Sequence, residues 1–259
     1  MLKACVNGAR RPGEHPALPL TPGELARDVA AVATAGAEAV HLHVKDAAGV
    51  DTLDAAALAE VLAAVREAAP AVPVGVTTGA WALPDPARRL AAIRSWEGSA
   101  LLPDFASVNW HEEGADEIAG ALLDLGVGIE AGIWHRAGAG AWLASVHRHR
   151  CVRVLLELPD GLGEAEVQRR AEQLLHLVHH SHRDGVSDRE GAEGPQVLLH
   201  GEGVTAWTAL RLAGRWGLAA RIGLEDVLVL PDGSPAAGNA ALVRAARELL
   251  WTPASASCR

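Results

Sequence analysis

Eight short apolar runs alternate with eight longer amphipathic stretches along this chain of 259 residues, and the alternation predicts an α/β fold. Strand–helix repeats imply parallel strands joined by crossover helices. A repeat of about 32 residues is typical of a (β/α)8 TIM barrel, which has about 250 residues. A doubly wound open sheet is the alternative. It is disfavoured because no glycine-rich dinucleotide-binding fingerprint follows the first predicted strand.

The elements follow in order from apolar runs, helical periodicity and capping residues. Strands are predicted at residues 2–6, 39–44, 72–77, 105–109, 128–132, 152–158, 196–200 and 219–224. Helices are predicted at residues 21–35, 54–69, 85–95, 115–125, 139–147, 164–180, 205–216 and 238–250. Thr21, Pro22 and Glu24 form a helix-start signal, and Gly36 and Gly217 stand where a helix-ending glycine is expected. The polar, glycine-rich residues 181–195 are predicted to form a mobile loop remote from the strand C-termini.

The composition limits the class of protein. A hydrophobic fraction of 49% allows a large core, and we expect a single TIM-barrel domain over residues 1–259. The net charge of -9 and the pI near 5.7 argue against a nucleic-acid partner, and no apolar run is long enough to predict a membrane span. The N-terminal residues are interpreted as a strand rather than a signal peptide. Three scattered cysteines without a CxxC pair indicate a reducing, cytoplasmic location.

The second predicted strand carries polar side chains on one face. His41, His43 and Lys45 alternate with valine and leucine, so the three share a face of the strand. A buried strand with three such side chains loses core packing, unless polar partners satisfy them or the face lines a site. Two imidazoles on one strand face are also a common way to bind zinc.

Functional groups of a TIM barrel collect at the C-terminal ends of its strands. The predicted ends carry polar side chains: Asn7, His41, His43, Thr77, Thr78, Asn109, Glu130, Glu157, His200, Glu202, Glu225 and Asp226. On the eighth strand, Arg221, Gly223 and Glu225 share a face, and we expect Gly223 to leave space beside the charged pair. Strands eight, one and two are neighbours in a closed barrel, so Glu225 can approach His41 and His43.

Two histidines and one carboxylate with an open position are typical of a catalytic divalent metal site and favour Zn²⁺. Such an ion polarises a carbonyl oxygen. Asp226 can then serve as a base, and the Arg221 guanidinium can hold a substrate carboxylate. Structural interpretations stay open at this point. The histidines can be satisfied core residues, Arg221 and Glu225 can form a salt bridge that closes the barrel, and Asp226 can begin a turn.

Several segments match a known pattern in order and separation. They are residues 6–10 (VNGAR), 15–22 (HPALPLTP), 35–37 (AGA), 41–46 (HLHVKD), 77–79 (TTG), 107–109 (SVN), 221–226 (RIGLED) and 239–243 (NAALV). In these segments the chain resembles the β-keto acid cleavage enzymes, a family typified by 3-keto-5-aminohexanoate cleavage enzyme. The resemblance runs nearly from end to end, and the HLHV and RxGLED segments are specific in combination.

The resemblance implies a TIM barrel that binds Zn²⁺, or another divalent metal, through His41, His43 and Glu225. It implies a β-keto acid and acetyl-CoA as substrates, with acetoacetate and a new acyl-CoA as products of a retro-Claisen cleavage. Asp226 is then the general base, oriented by Arg221. The resemblance also implies a homo-oligomer, commonly a tetramer.

Substrate-binding side chains are expected at Thr77, Thr78, Asn109, Lys45, Arg10 and Glu130. Thr77 or Thr78 stands where the family usually has a serine that contacts substrate. Lys45 stands where the family usually has arginine, which weakens a bidentate carboxylate clamp. Arg10 stands where the aminohexanoate enzyme has an acid, which favours an anionic substrate.

Two other functions are compatible with the same residues. Lys45 on the inner face of the second strand can form an imine, which makes the protein a Schiff-base aldolase. A non-catalytic barrel that binds small acids or acyl-CoA is the third interpretation. Trapping with borohydride distinguishes the imine from the metal, and absence of turnover distinguishes the binding protein from both.

Overall fold

The computed structural model describes residues 1–180 and 195–251, and the predicted alternation runs through both ranges. The strands are β1 (Leu2–Cys5), β2 (Ala39–Leu42), β3 (Val74–Thr77), β4 (Phe105–Asn109), β5 (Gly128–Ile133), β6 (Cys151–Leu158), β7 (Gln196–Gly201) and β8 (Ala219–Ile222). The helices are α1 (Pro22–Ala35), α2 (Ala55–Ala68), α3 (Pro86–Arg94), α4 (Ala115–Asp124), α5 (Arg136–Ala144), α6 (Glu164–His180), α7 (Ala206–Trp216) and α8 (Asn239–Trp251). The loop predicted at 181–195 lies, apart from residue 195, outside the described residues.

The eight strands form a closed parallel barrel in sequence order, and β8 pairs with β1. Cys5 of β1 is in register with His41 of β2, and Lys3 of β1 is in register with Arg221 of β8. The structure therefore confirms the TIM barrel and excludes the open sheet. Within the two described ranges, no helix combines the length and the apolar character that crossing a bilayer requires.

The capping signals are confirmed at both ends of α1. The Thr21 hydroxyl accepts a hydrogen bond from the Glu24 backbone N–H at 3.3 Å, and the Glu24 carboxylate accepts one from the Thr21 N–H at 3.0 Å. Gly36 ends the helix in the left-handed region with φ 101°. Helix α5 is the largest boundary error, because it starts three residues before the predicted range. His135 caps it by accepting a hydrogen bond from Gly138 N–H at 3.2 Å, a signal that the apolar periodicity does not contain.

The barrel interior contains a buried ion pair midway along the strands. Lys3 Nζ lies 2.6 Å from Glu130 Oε2 with both side chains fully buried, and Arg153 also pairs with Glu130. Both cations lie over the Phe105 ring, 5.8 and 5.0 Å from its centroid. Burial alone would raise the pKa of Glu130, but Lys3 and Arg153 outweigh it and lower that pKa. These side chains therefore occupy the barrel interior at this level and are engaged with one another.

Candidate metal centre and active site

A cavity of about 420 Å³ opens at the C-terminal mouth of the barrel. It is lined by side chains from β2, β4, β6, β8 and the loops that follow the strands: Arg10, Glu14, His41, His43, Trp81, Ser107, Asn109, Trp134, Leu155, Glu157, Asp160, Glu202, Arg221, Glu225 and Asp226. A larger depression of about 790 Å³ lies against α6 and contains none of the predicted site residues. The candidate active site is therefore the cavity at the mouth of the barrel.

Three of these side chains converge in the way that a metal ion requires. His41, His43 and Glu225 each offer one ligand atom, and the three atoms lie within 4.8 Å of one another. His41 Nε2 is 4.0 Å from Glu225 Oε2, and the two imidazole centroids are 5.3 Å apart. Strand β2 ends at Leu42, so His43 lies one residue beyond it. Asn7 holds this residue by accepting a hydrogen bond from His43 N–H at 2.8 Å and donating one to His43 O at 2.9 Å.

The hydrogen bonding of these residues fits a divalent metal. Asp51 Oδ2 lies 2.9 Å from His43 Nδ1 and fixes that nitrogen as the hydrogen-bonding one, which directs Nε2 toward the other ligands. His43 Nε2 and Glu225 Oε2 are buried and have no hydrogen-bond partner within the described residues. Buried polar atoms are rarely left without a partner, so both point to a missing ligand.

The charge states of the ligands also suit a metal. Burial lowers the pKa of His41 to about 3, so the imidazole is neutral and its ring nitrogen has a free lone pair. Burial would raise the pKa of Glu225, but the Arg221 cation outweighs it and holds that pKa below its usual range. Two imidazoles and one ionised carboxylate are a donor set of catalytic zinc sites.

Asp226 and Arg221 form a second pair beside these ligands. The Arg221 Nη2 lies 2.7 Å from Asp226 Oδ1 and 2.9 Å from Glu225 Oε1, and Arg221 Nε also donates to Asp226 Oδ1 at 3.1 Å. One guanidinium therefore orients both carboxylates. Asp226 Oδ2 is buried and accepts no hydrogen bond from the described part of the chain. Burial raises the pKa of Asp226 despite the neighbouring Arg221 cation.

Two glycines allow β1 and β8 to approach each other at the site. A Cβ atom on Gly8, which has φ +56°, would lie 2.3 Å from Glu225 Cγ. A Cβ atom on Gly223 would lie 1.8 Å from the backbone oxygen of Cys5. The expectation that Gly223 leaves space beside the charged pair is therefore wrong, because the Cys5 backbone occupies that space.

Arg10 and Asn109 line the cavity, as expected for substrate-binding residues. Arg10 is already engaged: its Nη1 lies 3.1 Å from Glu14 Oε2, and it donates to the backbone oxygens of Leu224 and Glu225. Asn109 donates a hydrogen bond to the Glu112 carboxylate at 2.9 Å and accepts one from Trp134 Nε1 at 3.1 Å. The Arg10 guanidinium is thus largely engaged by hydrogen-bond and ion-pair partners within the chain.

The other four predicted substrate-binding residues do not line the cavity. Lys45 Nζ donates to Gly8 O at 2.6 Å, Arg10 O at 3.0 Å and Asp51 Oδ1 at 2.5 Å. These three hydrogen bonds hold a loop in place. Thr77 and Thr78 are buried, and their hydroxyls bond to the backbone of Gly79 and Ser107. Glu130 belongs to the buried ion pair with Lys3. These four side chains therefore bond to other residues of the barrel and do not face the cavity.

Sequence reasoning gives no role to four residues that shape the site. Asp51 is missed because it follows the strand in a loop, eight residues from the histidine it holds. Glu157, His200 and Glu202 are recognised as strand-end residues without a function. In the structure His200 Nε2 lies 2.9 Å from Glu157 Oε2, and His200 Nδ1 lies 3.8 Å from Asp226 Oδ1.

Burial shifts the pKa of these strand-end groups strongly. It lowers the pKa of His200 to about 3 and raises the pKa of Glu157 and of Glu202 to about 7 each. Trp81, 46% exposed, stacks on His43 with ring centroids 6.0 Å apart and covers one side of the metal ligands. Sequence reasoning mentions this tryptophan only as a residue near a strand end.

A family model described as beta-keto acid cleavage enzyme matches residues 1–253. The 3-keto-5-aminohexanoate cleavage enzyme of Fusobacterium nucleatum subsp. nucleatum is 36% identical over 80 residues, which are 30% of this chain and 29% of that protein. The binary complex of ObcA with oxaloacetate has a TM-score of 0.69 at 17% identity and is matched over 90% of this chain and 63% of that one. The ternary complex of ObcA with C4-CoA adduct and oxalate has a TM-score of 0.70 at 16% identity, over 91% and 64%.

These similarities differ in what they show. The alignments span less than two thirds of the length of each relative, and at 16 to 17% identity the structural likeness shows the fold. The family model, in contrast, covers residues 1–253 of the 259. The chain therefore belongs to the beta-keto acid cleavage enzyme family.

Proposed function

We propose that this member of the β-keto acid cleavage enzyme family is a zinc-dependent acyltransferase that acts on a β-keto acid and acetyl-CoA. The products are acetoacetate and a new acyl-CoA. The observation that carries the proposal is the group of partnerless atoms on His43, Glu225 and Asp226, which face one cavity in a buried setting. Such a group fits a metal ion and a proton acceptor held side by side.

His41, His43 and Glu225 hold the metal in this proposal. When bound, a divalent metal acts as a Lewis acid toward the keto oxygen and makes the adjacent CH₂ more acidic. Asp51 supports the proposal because a carboxylate that accepts a hydrogen bond from a ligating imidazole orients the ring and increases its basicity. His41 and His43 are both 2% exposed, which keeps competing water from their ring nitrogens.

Asp226 is the general base. Its Oδ1 is fixed by Arg221, so the partnerless Oδ2 is the oxygen that takes a proton from C2 of the β-keto acid. The C2 carbanion attacks the acetyl carbonyl, and a C–C bond forms as the CoA thiolate leaves. The thiolate then attacks C3, the C2–C3 bond breaks, and Asp226 returns its proton to C2 of the departing acetoacetate. The Arg221 guanidinium stabilises Asp226 as a carboxylate before and after the transfer.

One relative supports the β-keto acid substrate, and another supports a CoA thioester as co-substrate. The curated relative is named as a cleavage enzyme of a β-keto acid, and ObcA was solved as a ternary complex with a C4-CoA adduct and oxalate. Lys45 does not support the aldolase interpretation, because an ammonium that donates three hydrogen bonds is not a nucleophile. A cytoplasmic homo-oligomer of single-domain subunits completes the proposal.

The test combines metal analysis with an assay for acetoacetate from acetyl-CoA and a panel of β-keto acids. Glu225→Gln is expected to lose bound zinc and turnover together. Asp226→Asn is expected to retain zinc and lower kcat by about 10²- to 10⁴-fold, because it removes the base alone. Glu117→Gln, an exposed glutamate on α4, is the matched control. Unchanged metal content and turnover in Glu225→Gln would refute the site assignment.

A further inference from the structure

His200 is a buried histidine to which the proposed reaction gives no role. It lies on β7 in register with Glu157 of β6, and its Nε2 is 2.9 Å from Glu157 Oε2. The residue is 1% exposed. Its other ring nitrogen, Nδ1, is buried and has no hydrogen-bond partner among the described residues. Buried polar atoms are rarely left in this state, so Nδ1 needs a physical explanation.

The group that Nδ1 faces is Asp226, the proposed base. His200 Nδ1 lies 3.8 Å from Asp226 Oδ1. This separation is longer than a hydrogen bond, so the partial charge at the nitrogen decides whether the two atoms attract or repel each other. An N–H at Nδ1 attracts the carboxylate, whereas a lone pair at Nδ1 repels it. The position of one imidazole proton therefore affects the base.

The proton of His200 can lie on either ring nitrogen. Burial lowers the pKa of this imidazole to about 3, so the ring is neutral and carries one N–H. With the proton on Nε2, His200 donates to an ionised Glu157 and directs a lone pair at Asp226. With the proton on Nδ1, Nε2 accepts a hydrogen bond from a protonated Glu157, and the N–H faces Asp226. Only the second arrangement gives both nitrogens a favourable neighbour.

The surroundings of Glu157 favour the second arrangement. Glu157 is 4% exposed, and burial raises its pKa to about 7, although the Arg221 and Lys3 cations oppose the change. Lys3 is paired with Glu130, and Arg221 is paired with two other carboxylates. Glu157 forms no ion pair with a lysine or arginine of the described chain. A neutral carboxyl that donates to Nε2 is therefore lower in free energy than an isolated buried carboxylate.

We propose that His200 is a positioning residue for Asp226, with its proton on Nδ1 facing Asp226 Oδ1 and its Nε2 accepting from Glu157. The inference rests on the proposed function, because it concerns the base of the same reaction. Arg221 and His200 then both attract Oδ1, and the partnerless Oδ2 is left to accept the substrate proton. The backbone is held separately, since Asp226 O accepts from Gly203 N–H at 2.8 Å. His200 therefore acts on the orientation of the side chain.

Two substitutions separate the two contacts of His200. The amide nitrogen of His200→Asn comes close to the place of Nδ1 and retains a donor toward Asp226, whereas that of His200→Gln comes close to the place of Nε2 and retains only the contact to Glu157. With zinc-loaded protein and the acetoacetate assay, we expect His200→Gln to lower kcat by about tenfold and His200→Asn by no more than about threefold. KM should change by less than about twofold in both variants, because His200 is not among the described residues that line the cavity.

The position of the proton is measured directly by ¹⁵N NMR of the histidine rings in wild-type, zinc-loaded protein. A ring nitrogen that carries hydrogen and one that carries a lone pair have clearly different ¹⁵N shifts, so the spectrum identifies the tautomer. At pH 6, below the pKa of Glu157, we expect the proton of His200 on Nδ1. This measurement needs neither turnover nor a folded variant.

Two results would overturn the inference while leaving the proposed function intact. One is a proton on Nε2 of His200 in the wild type. The other is an equal kcat in His200→Asn and His200→Gln with both variants folded by circular dichroism, because a side chain that only fills space does not distinguish them. If no β-keto acid yields acetoacetate, the proposed function fails. The ring spectrum then decides the inference alone: a proton on Nδ1 supports it, and a proton on Nε2 refutes it.

Discussion

Asp51→Asn tests whether the proposed metal site depends on a residue outside the ligand set. The Asp51 carboxylate accepts from His43 Nδ1 at 2.9 Å through one oxygen and from Lys45 Nζ at 2.5 Å through the other. An asparagine keeps the shape but has one oxygen for two donors. Its amide NH₂ must therefore face either the imidazole N–H or the ammonium, and both arrangements place donor against donor.

The expected magnitude follows from these two contacts. Loss of a carboxylate that orients a ligating histidine weakens metal binding by about 10- to 100-fold, which is about 1.4 to 2.8 kcal/mol. Lys45 keeps its bonds to Gly8 O and Arg10 O, so the metal-free protein should lose about 1 to 3 kcal/mol of unfolding free energy rather than unfold.

The assay is a zinc titration in competition with a chromophoric chelator, with circular dichroism to verify folding. Lys45→Met is the matched comparison, because it loosens the same loop while it leaves the Asp51 contact to His43 in place. We expect Asp51→Asn to weaken zinc binding by a much larger factor than Lys45→Met. Wild-type zinc affinity in folded Asp51→Asn would refute the ligand assignment of His43, and equal losses in both variants would show that the loop alone is responsible.

Three further predictions concern residues outside the proposed ligand set. Burial, opposed by the Asn239 hydrogen bond, raises the pKa of Asp28 from 3.8 to about 6. The folded state therefore holds this proton more tightly, and the stability that it contributes is present below pH 4 and is lost as the pH rises through 6. Asp28→Asn should remove that loss and gain about 2 kcal/mol relative to wild type between pH 5 and 8 in denaturant titrations. Equal pH profiles would contradict this. Gly223→Ala should destabilise the protein by about 3 kcal/mol or more, because its Cβ would lie 1.8 Å from Cys5 O, and an unchanged Tm would contradict the packing. Borohydride with substrate should leave Lys45 unlabelled by mass spectrometry, since its ammonium is fully hydrogen-bonded, and a covalent adduct would restore the aldolase.

The fold could be predicted because the residues of each segment are enough to identify it as a strand or a helix. The apolar runs locate the strands to within two residues at either end, and the Thr21–Glu24 capping box marks the start of α1. Helix α5 shows the limit of this reasoning. Gly138 and Gly140 weaken its periodicity, and a histidine caps it, so neither the apolar pattern nor the usual capping residues mark its start.

The site could be predicted only in part. The alternation of side chains between the two faces of a strand predicts where a side chain points only as far as the strand extends. Strand β2 ends at Leu42, and beyond it His43 still faces His41 while Lys45 turns away to Asp51. Glu130 fails for a different reason. The sequence correctly places it on an inward-facing position. The sequence does not show how deep in the barrel that position lies, and at that depth Glu130 pairs with Lys3.

Barrel closure and metal binding are coupled by the asparagines that hold the site together. Asn239 donates to Val6 O and accepts from Leu224 N, both at 2.7 Å, and so joins β1 to the segment that carries Glu225. Asn7 holds His43 in the same way. The proposed ligands come from both ends of the chain and meet only when β8 pairs with β1. Metal that binds the folded state alone must then stabilise it by RT ln(1 + [metal]/Kd), about 2.7 kcal/mol at a hundredfold excess over Kd. The same closure places Asp226 in one cavity with these residues, so the proposed metal site and the proposed base depend on a single folding event.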